Sequence, residues 1–153
     1  MFVSGCDAGS NTSEYLLLNV SGDSMEPTLM SGQEISVVLG VQNLDRGDVV
    51  LIKLKTVSKP YVKRVIALPG DEVRFGGNSI FLNGGVLEEP YLLSHNGNVS
   101  FEGSVLEKQL EFYNNKVPSE NILVLGDNRA ASFDSGSFGL VPVRYVLGKV
   151  VVG

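Results

Sequence analysis

The chain has one cysteine, Cys6, one histidine, His95, and no tryptophan. One cysteine forbids an internal disulfide framework, and one cysteine with one histidine cannot build a Cys/His zinc site. A Ser-His-Asp triad would have to use His95, which lies in the turn-rich run Leu93-Ser94-His95-Asn96-Gly97-Asn98 and reads as a surface loop residue. Twelve Lys and Arg are scattered through a chain of net charge −5. The electrostatic footprint of a nucleic-acid binder is missing, so no nucleic-acid partner is expected. No run approaches the ~18 apolar residues of a membrane helix, and the start lacks the basic residues and long apolar core of a signal peptide. No metal or cofactor is expected.

What is present is a succession of short apolar segments bounded by Gly, Pro, Asn and Asp. At 153 residues the chain fits one domain. Met1 to Ser13 is rich in Gly, Ser, Asn and Thr without periodicity and reads as a disordered leader or an appended remnant, leaving residues 14–153 for the fold. Strand-length runs follow at Tyr15–Val20, Ile35–Leu39, Val49–Leu54 and Tyr61–Leu68. A hairpin is expected from Glu72–Phe75 and Ser79–Leu82 across Gly76-Gly77-Asn78. From about 77 to 118 the pattern weakens into an excursion in which only Ser104–Tyr113 has helical character. Asn121–Leu125 restores a buried strand, and Val141–Val152 supplies one or two more. Many short strands at close spacing predict a mostly-β sandwich or barrel.

Three stretches carry chemistry. Gly22-Asp23-Ser24-Met25-Glu26-Pro27-Thr28-Leu29 puts a serine on a turn stiffened by Pro27 and permitted unusual backbone geometry at Gly22. Strand alternation places Tyr61, Lys63 and Val65 on one face and Val62, Arg64 and Ile66 on the other. One of the two bases must therefore meet an apolar surround. An arginine there needs a carboxylate, whereas a lysine can lose its proton. A buried Lys63 would drop from a pKa of about 10.4 toward the range of a general base and could take the Ser24 proton without histidine; the alternative is a lysine snorkelling from an edge strand. The third stretch is the polar loop Gly126-Asp127-Asn128-Arg129-Ala130-Ala131-Ser132-Phe133-Asp134-Ser135-Gly136-Ser137-Phe138-Gly139. It is dense in groups that bond their own backbone and contains hydroxyls able to orient an amine.

In that order, Ser24-Met25-x-Pro27-Thr28-Leu29, Tyr61-Val62-Lys63-Arg64-Val65-Ile66-x-x-Pro69-Gly70-Asp71 and Gly126-Asp127-Asn128-Arg129-x-x-Ser132-x-Asp134-Ser135-x-x-Phe138-Gly139-x-Val141-Pro142 resemble the bacterial type I signal peptidases, the Ser-Lys leader peptidases. The resemblance runs from about Val20 onward. It implies a β core of the signal peptidase/LexA kind with a β-rich insertion at about 77–118. It implies a serine endopeptidase with Ser24 as nucleophile, Lys63 as general base, Ser132 holding the lysine amine and the Ser24 backbone amide as an oxyanion donor. Asp134 would brace the last loop, and Arg64 would pair with Asp127.

By the same resemblance the substrates are exported preproteins cut after a small residue with another two positions before it, an A-x-A-like site. The protein would work as a monomer at the extracytoplasmic face of the cell membrane, and this chain would be a soluble fragment lacking its anchor. Met25 and the Tyr15–Val20 segment are candidates to face substrate or bilayer. Two positions depart from the family pattern. Gly22 stands where some members carry a serine lining the oxyanion hole, and Gly136 stands where an arginine usually pairs with the carboxylate at Asp134. A LexA-type or conjugative processing peptidase, and a non-catalytic assembly factor for pilins, are the alternative readings.

Overall fold

The computed structural model describes residues 13–40, 43–92 and 99–152. Cys6, His95 and the expected leader up to Thr12 lie outside the described residues. The first apolar run forms β1, Tyr15–Asn19, which pairs antiparallel with β2, Glu34–Leu39. Between them residues 20–33 form the serine turn, closed at its base by Val20 N–H to the Gln33 carbonyl and Gly32 N–H to the Val20 carbonyl, both 2.8 Å. β3 is Val49–Ile52 and β4 is Tyr61–Ala67. All four β3 residues are buried, which explains why a continuous apolar run, and not an alternating one, marks this strand.

After β4 the chain leaves the main sheet through the meander β5, Val73–Gly76, β6, Ser79–Leu82, and β7, Gly85–Val86. Helix α1, Val105–Phe112, follows, N-capped by Ser104 Oγ accepting from the Glu107 N–H at 3.1 Å. The chain returns as β8, Asn121–Leu125, makes the single helical turn α2, Ser135–Phe138, and ends in β9, Val141–Pro142, and β10, Val146–Val151. The main sheet has the order β1-β2-β10-β3-β4-β8-β9, with every pairing antiparallel. Neither β7 nor α2 is anticipated by periodicity. Two residues, or one helical turn, are too short to show a period.

Both faces of the sheet are covered. Met25 and Leu29 of the serine turn pack on Ile35, Val37, Leu51 and Val150. On the same face, Leu123 and Leu125 with Ile66 hold Val73, Phe101 and Leu106 of the excursion, while on the opposite face Val50, Ile52, Val65 and Val124 pack with Leu54 and Val146. The joint between sheet and excursion is Asp71. Its carboxylate accepts Arg46 Nε at 2.7 Å and Nη2 at 2.6 Å, the Leu68 N–H at 2.8 Å and Asn83 Nδ2 at 3.0 Å. Among the described residues no helix is long and apolar enough to cross a membrane.

Candidate active site

β4 and the serine turn approach each other because β4 lies beside β3 inside the sheet while the turn's apolar residues are drawn into the adjoining core. Lys63 pairs with Val50 across the ladder and shares its face with Tyr61, whose ring centre is 5.6 Å from Nζ. Lys63 is 2% exposed, and its Nζ donates to Ser24 Oγ at 2.9 Å. Burial pushes the amine down from 10.5 to about 8, against the opposing pull of the Asp134 and Asp127 carboxylates. The snorkelling alternative does not describe this side chain.

The polar loop 126–139 clamps this pair from the far end of the molecule in sequence. Asn128 N–H donates to the Ser24 carbonyl at 2.9 Å, and Asn128 Nδ2 reaches the Asp23 carbonyl at 3.2 Å. Asp127 is fully buried. It receives Arg64 Nε at 2.8 Å and Nη2 at 2.6 Å, a bidentate pair, and the Thr28 hydroxyl also donates to it. Burial works against the Arg64 charge, but the bonds and charge of Asp127 hold its pKa above the usual value. Arg64 Nη1 also binds the Gly47 carbonyl at 2.9 Å. The second base on β4 is thus consumed in holding loop to strand, leaving Lys63 alone beside the serine.

Asp134 caps α2 and spans the loop, accepting the Gly126 N–H at 2.9 Å and the Gly136 N–H at 3.1 Å. The backbone thereby supplies partners for the carboxylate that an arginine at 136 would otherwise engage. A Cβ at Gly136 would lie 3.2 Å from the Phe101 ring, so an aromatic from the excursion occupies the space beside this position.

One expectation is corrected by the packing of the serine turn. Met25 does not face substrate or bilayer: it is 1% exposed and packed in the core, because the turn folds its apolar residues inward. In the β1 segment Leu16 and Leu18 lie against the same core, while Tyr15 is exposed. Ser132 Oγ is buried with no hydrogen-bond partner among the described residues, while the Lys63 amine donates to Ser24. Gly22 is exposed with φ +89°, and a Cβ there would meet nothing within 4 Å, so backbone conformation and not space calls for glycine. Thr28 and Asn128 stand in the quoted motifs, yet nothing in a one-dimensional pattern assigns them to Asp127 and the Ser24 carbonyl.

The family profile described as signal peptidase, peptidase S26, matches residues 12–153. The chain is 38% identical over 140 residues to signal peptidase IB of Staphylococcus aureus, covering 86% of this chain and 73% of that protein. It is 40% identical over 119 residues to signal peptidase I P of Bacillus subtilis subsp. natto, covering 76% and 63% respectively. The crystal structure of a signal peptidase I from Enterococcus faecalis V583 is similar at a TM-score of 0.60 and 30% identity, over 73% of this chain and all of that one.

Proposed function

The chain belongs to the signal peptidase family, peptidase S26, and on that premise we propose that Ser24 and Lys63 are the catalytic pair with which this serine endopeptidase removes signal peptides. The observation that carries the assignment is the 2.9 Å separation of Lys63 Nζ and Ser24 Oγ around a lysine amine buried from water. Ser24 Oγ attacks the scissile carbonyl carbon while its proton passes to the neutral Lys63 amine. The negative charge developing on the carbonyl oxygen is met by the Ser24 backbone N–H, which no described residue accepts. Collapse of the tetrahedral species breaks the peptide bond, and Lys63 returns the proton to the departing amine. Water, activated by the same lysine, then hydrolyses the Ser24 ester.

Ser132 is the lysine-orienting residue in this reading. Its buried Oγ, unpartnered among the described residues, is left able to accept one of the remaining N–H groups of the Lys63 amine, and the loop that carries it clamps the serine. Asp134, Arg64 and Asp127 support the site. Gly22 shapes the turn that presents the Ser24 N–H.

The substrates are exported preproteins with small residues at the cleavage position and two residues before it, met at the extracytoplasmic face of the cell membrane by a monomeric catalytic domain. Residues 14–153 form that domain, with the insertion at about 77–118. Ser24→Ala and Lys63→Ala are each expected to abolish cleavage of a signal-peptide substrate while the far-UV spectrum stays native. Near-full activity in Lys63→Ala would remove the dyad.

A further inference from the structure

The ion pair between Arg129 and Glu89 is nearly as secluded as the core, with side chains 3% and 9% exposed. Removing two charges from water is costly, and a buried pair recovers that cost only when its remaining hydrogen-bonding groups are also satisfied. Here they are, and the partners form a closed ring. Arg129 Nη2 meets Glu89 Oε1, and Nη1 reaches Oε2 at 3.4 Å. Arg129 Nε donates to the Gly126 carbonyl at 2.9 Å. On the other side the Tyr91 hydroxyl donates to Glu89 Oε1 at 2.9 Å, and the Arg64 guanidinium lies 3.9 Å from the centre of the Tyr91 ring. Arg64 holds Asp127, the neighbour of Gly126, and the ring is complete.

The convergence point is Gly126. Its N–H is held by Asp134 and its carbonyl by Arg129, and two residues on, the Asn128 N–H holds the Ser24 carbonyl. We propose that Glu89, with Tyr91, is a positioning residue for the Ser24–Lys63 pair, acting through Arg129 on the Gly126 carbonyl. The proposal rests on the catalytic assignment above. Glu89 touches no reacting group. Without its carboxylate, Arg129 becomes an uncompensated buried cation that must turn toward water, releasing the Gly126 carbonyl and loosening the loop that anchors Ser24. A displacement of ~1 Å at a reacting group costs on the order of 10²-fold in rate.

The test is steady-state cleavage of a peptide spanning a signal-peptide cleavage site by the whole chain carrying Glu89→Ala, Glu89→Gln or Tyr91→Phe, with Ser24→Ala alongside. Glu89→Ala is expected to lower kcat roughly 30–100-fold with KM within about threefold, and to slow acylation of Ser24 by a serine-directed probe in parallel. Glu89→Gln keeps both hydrogen-bonding oxygen and shape, and should recover kcat to within about tenfold of the unsubstituted chain. A folded Glu89→Ala chain with kcat within about threefold of normal, or with its loss confined to KM, overturns the proposal. If Glu89→Ala does not fold, Tyr91→Phe decides instead: kcat unchanged within about threefold overturns the proposal, and a larger drop in kcat with KM held supports it. Cleavage by Ser24→Ala would overturn the catalytic assignment itself, an outcome distinct from inactivity of Ser24→Ala with normal Glu89 variants.

Discussion

Gly126 lies so close to Ser132 that it has no room for a side chain of its own. A Cβ built on Gly126 would lie 2.2 Å from Ser132 Oγ and 2.5 Å from the Ser24 carbonyl oxygen. The position demands glycine for space, since its φ is not among the left-handed ones. Gly126→Ala is therefore expected to push apart the serine turn and the Ser132 hydroxyl. Activity against a signal-peptide substrate should fall by about 10²-fold or more, from a displacement of only ~1 Å. A crystal structure of the variant, or loss of Ser24 acylation by a covalent probe, checks the cause.

The Lys63 amine must be neutral to accept the Ser24 proton. With its pKa lowered to about 8 by burial, the competent fraction grows as pH rises through that value. The plot of log kcat/KM against pH should climb with unit slope below about 8 and level above it. A histidine-like limb near 6.5 would contradict a lysine base.

How much of this was legible beforehand differs between elements for physical reasons. β3 and β8 announced themselves as dense apolar runs because they are interior strands, and the turns around them carry Gly, Pro and Asp. Lys63 could be singled out from Arg64 by alternation and by chemistry, since only one of the two can be buried uncharged. The partners were not legible. Glu89 lies 40 positions from Arg129 in the weakly patterned excursion, where it is partly covered and its neighbour Glu88 is exposed, and no local period distinguishes the two. Met25 follows Ser24 on a turn, where exposure is the usual state, yet the turn is long enough to fold inward onto the sheet. Gly136 read as a lost arginine, because the backbone donors to Asp134 and the Phe101 ring beside it exist only once the chain is folded.

Burying Lys63 also sets a stability relation with a definite sign. The folded pKa of about 8 lies below the usual 10.5, so between those values the unfolded chain holds a proton that the folded chain has released. Stability contributed by this group therefore rises with pH across that window, and the penalty of the buried cation is full below it. The difference corresponds to ~3 kcal/mol. Lys63→Met, similar in length and apolar, should abolish cleavage while stabilising the fold by about 2–3 kcal/mol at pH 7. That advantage should shrink as pH rises from 8 toward 10.5. Urea unfolding of both chains at pH 7 and pH 10 measures it; an advantage that grew with pH would contradict the assignment.

Asp71 gives the opposite sign at the joint between sheet and excursion. Burial alone would raise its pKa, but the Arg46, Asn83 and Leu68 hydrogen bonds outweigh burial and lower it from 3.8 to about 2. The folded chain then keeps its carboxylate ionised where the unfolded chain takes up a proton, so the contribution is complete above about 4 and is lost as pH falls toward 2. Because Arg46 is half exposed, solvent screening limits the contribution to roughly 1–2 kcal/mol. Asp71→Asn should be less stable than the unsubstituted chain by that amount at pH 7, and the gap should narrow at pH 3. The partners of the Asp71 carboxylate, Arg46, Leu68 and Asn83, do not include Ser24 or Lys63, so kcat of the folded variant at pH 8 should remain within about twofold, a result measurable in the same cleavage assay.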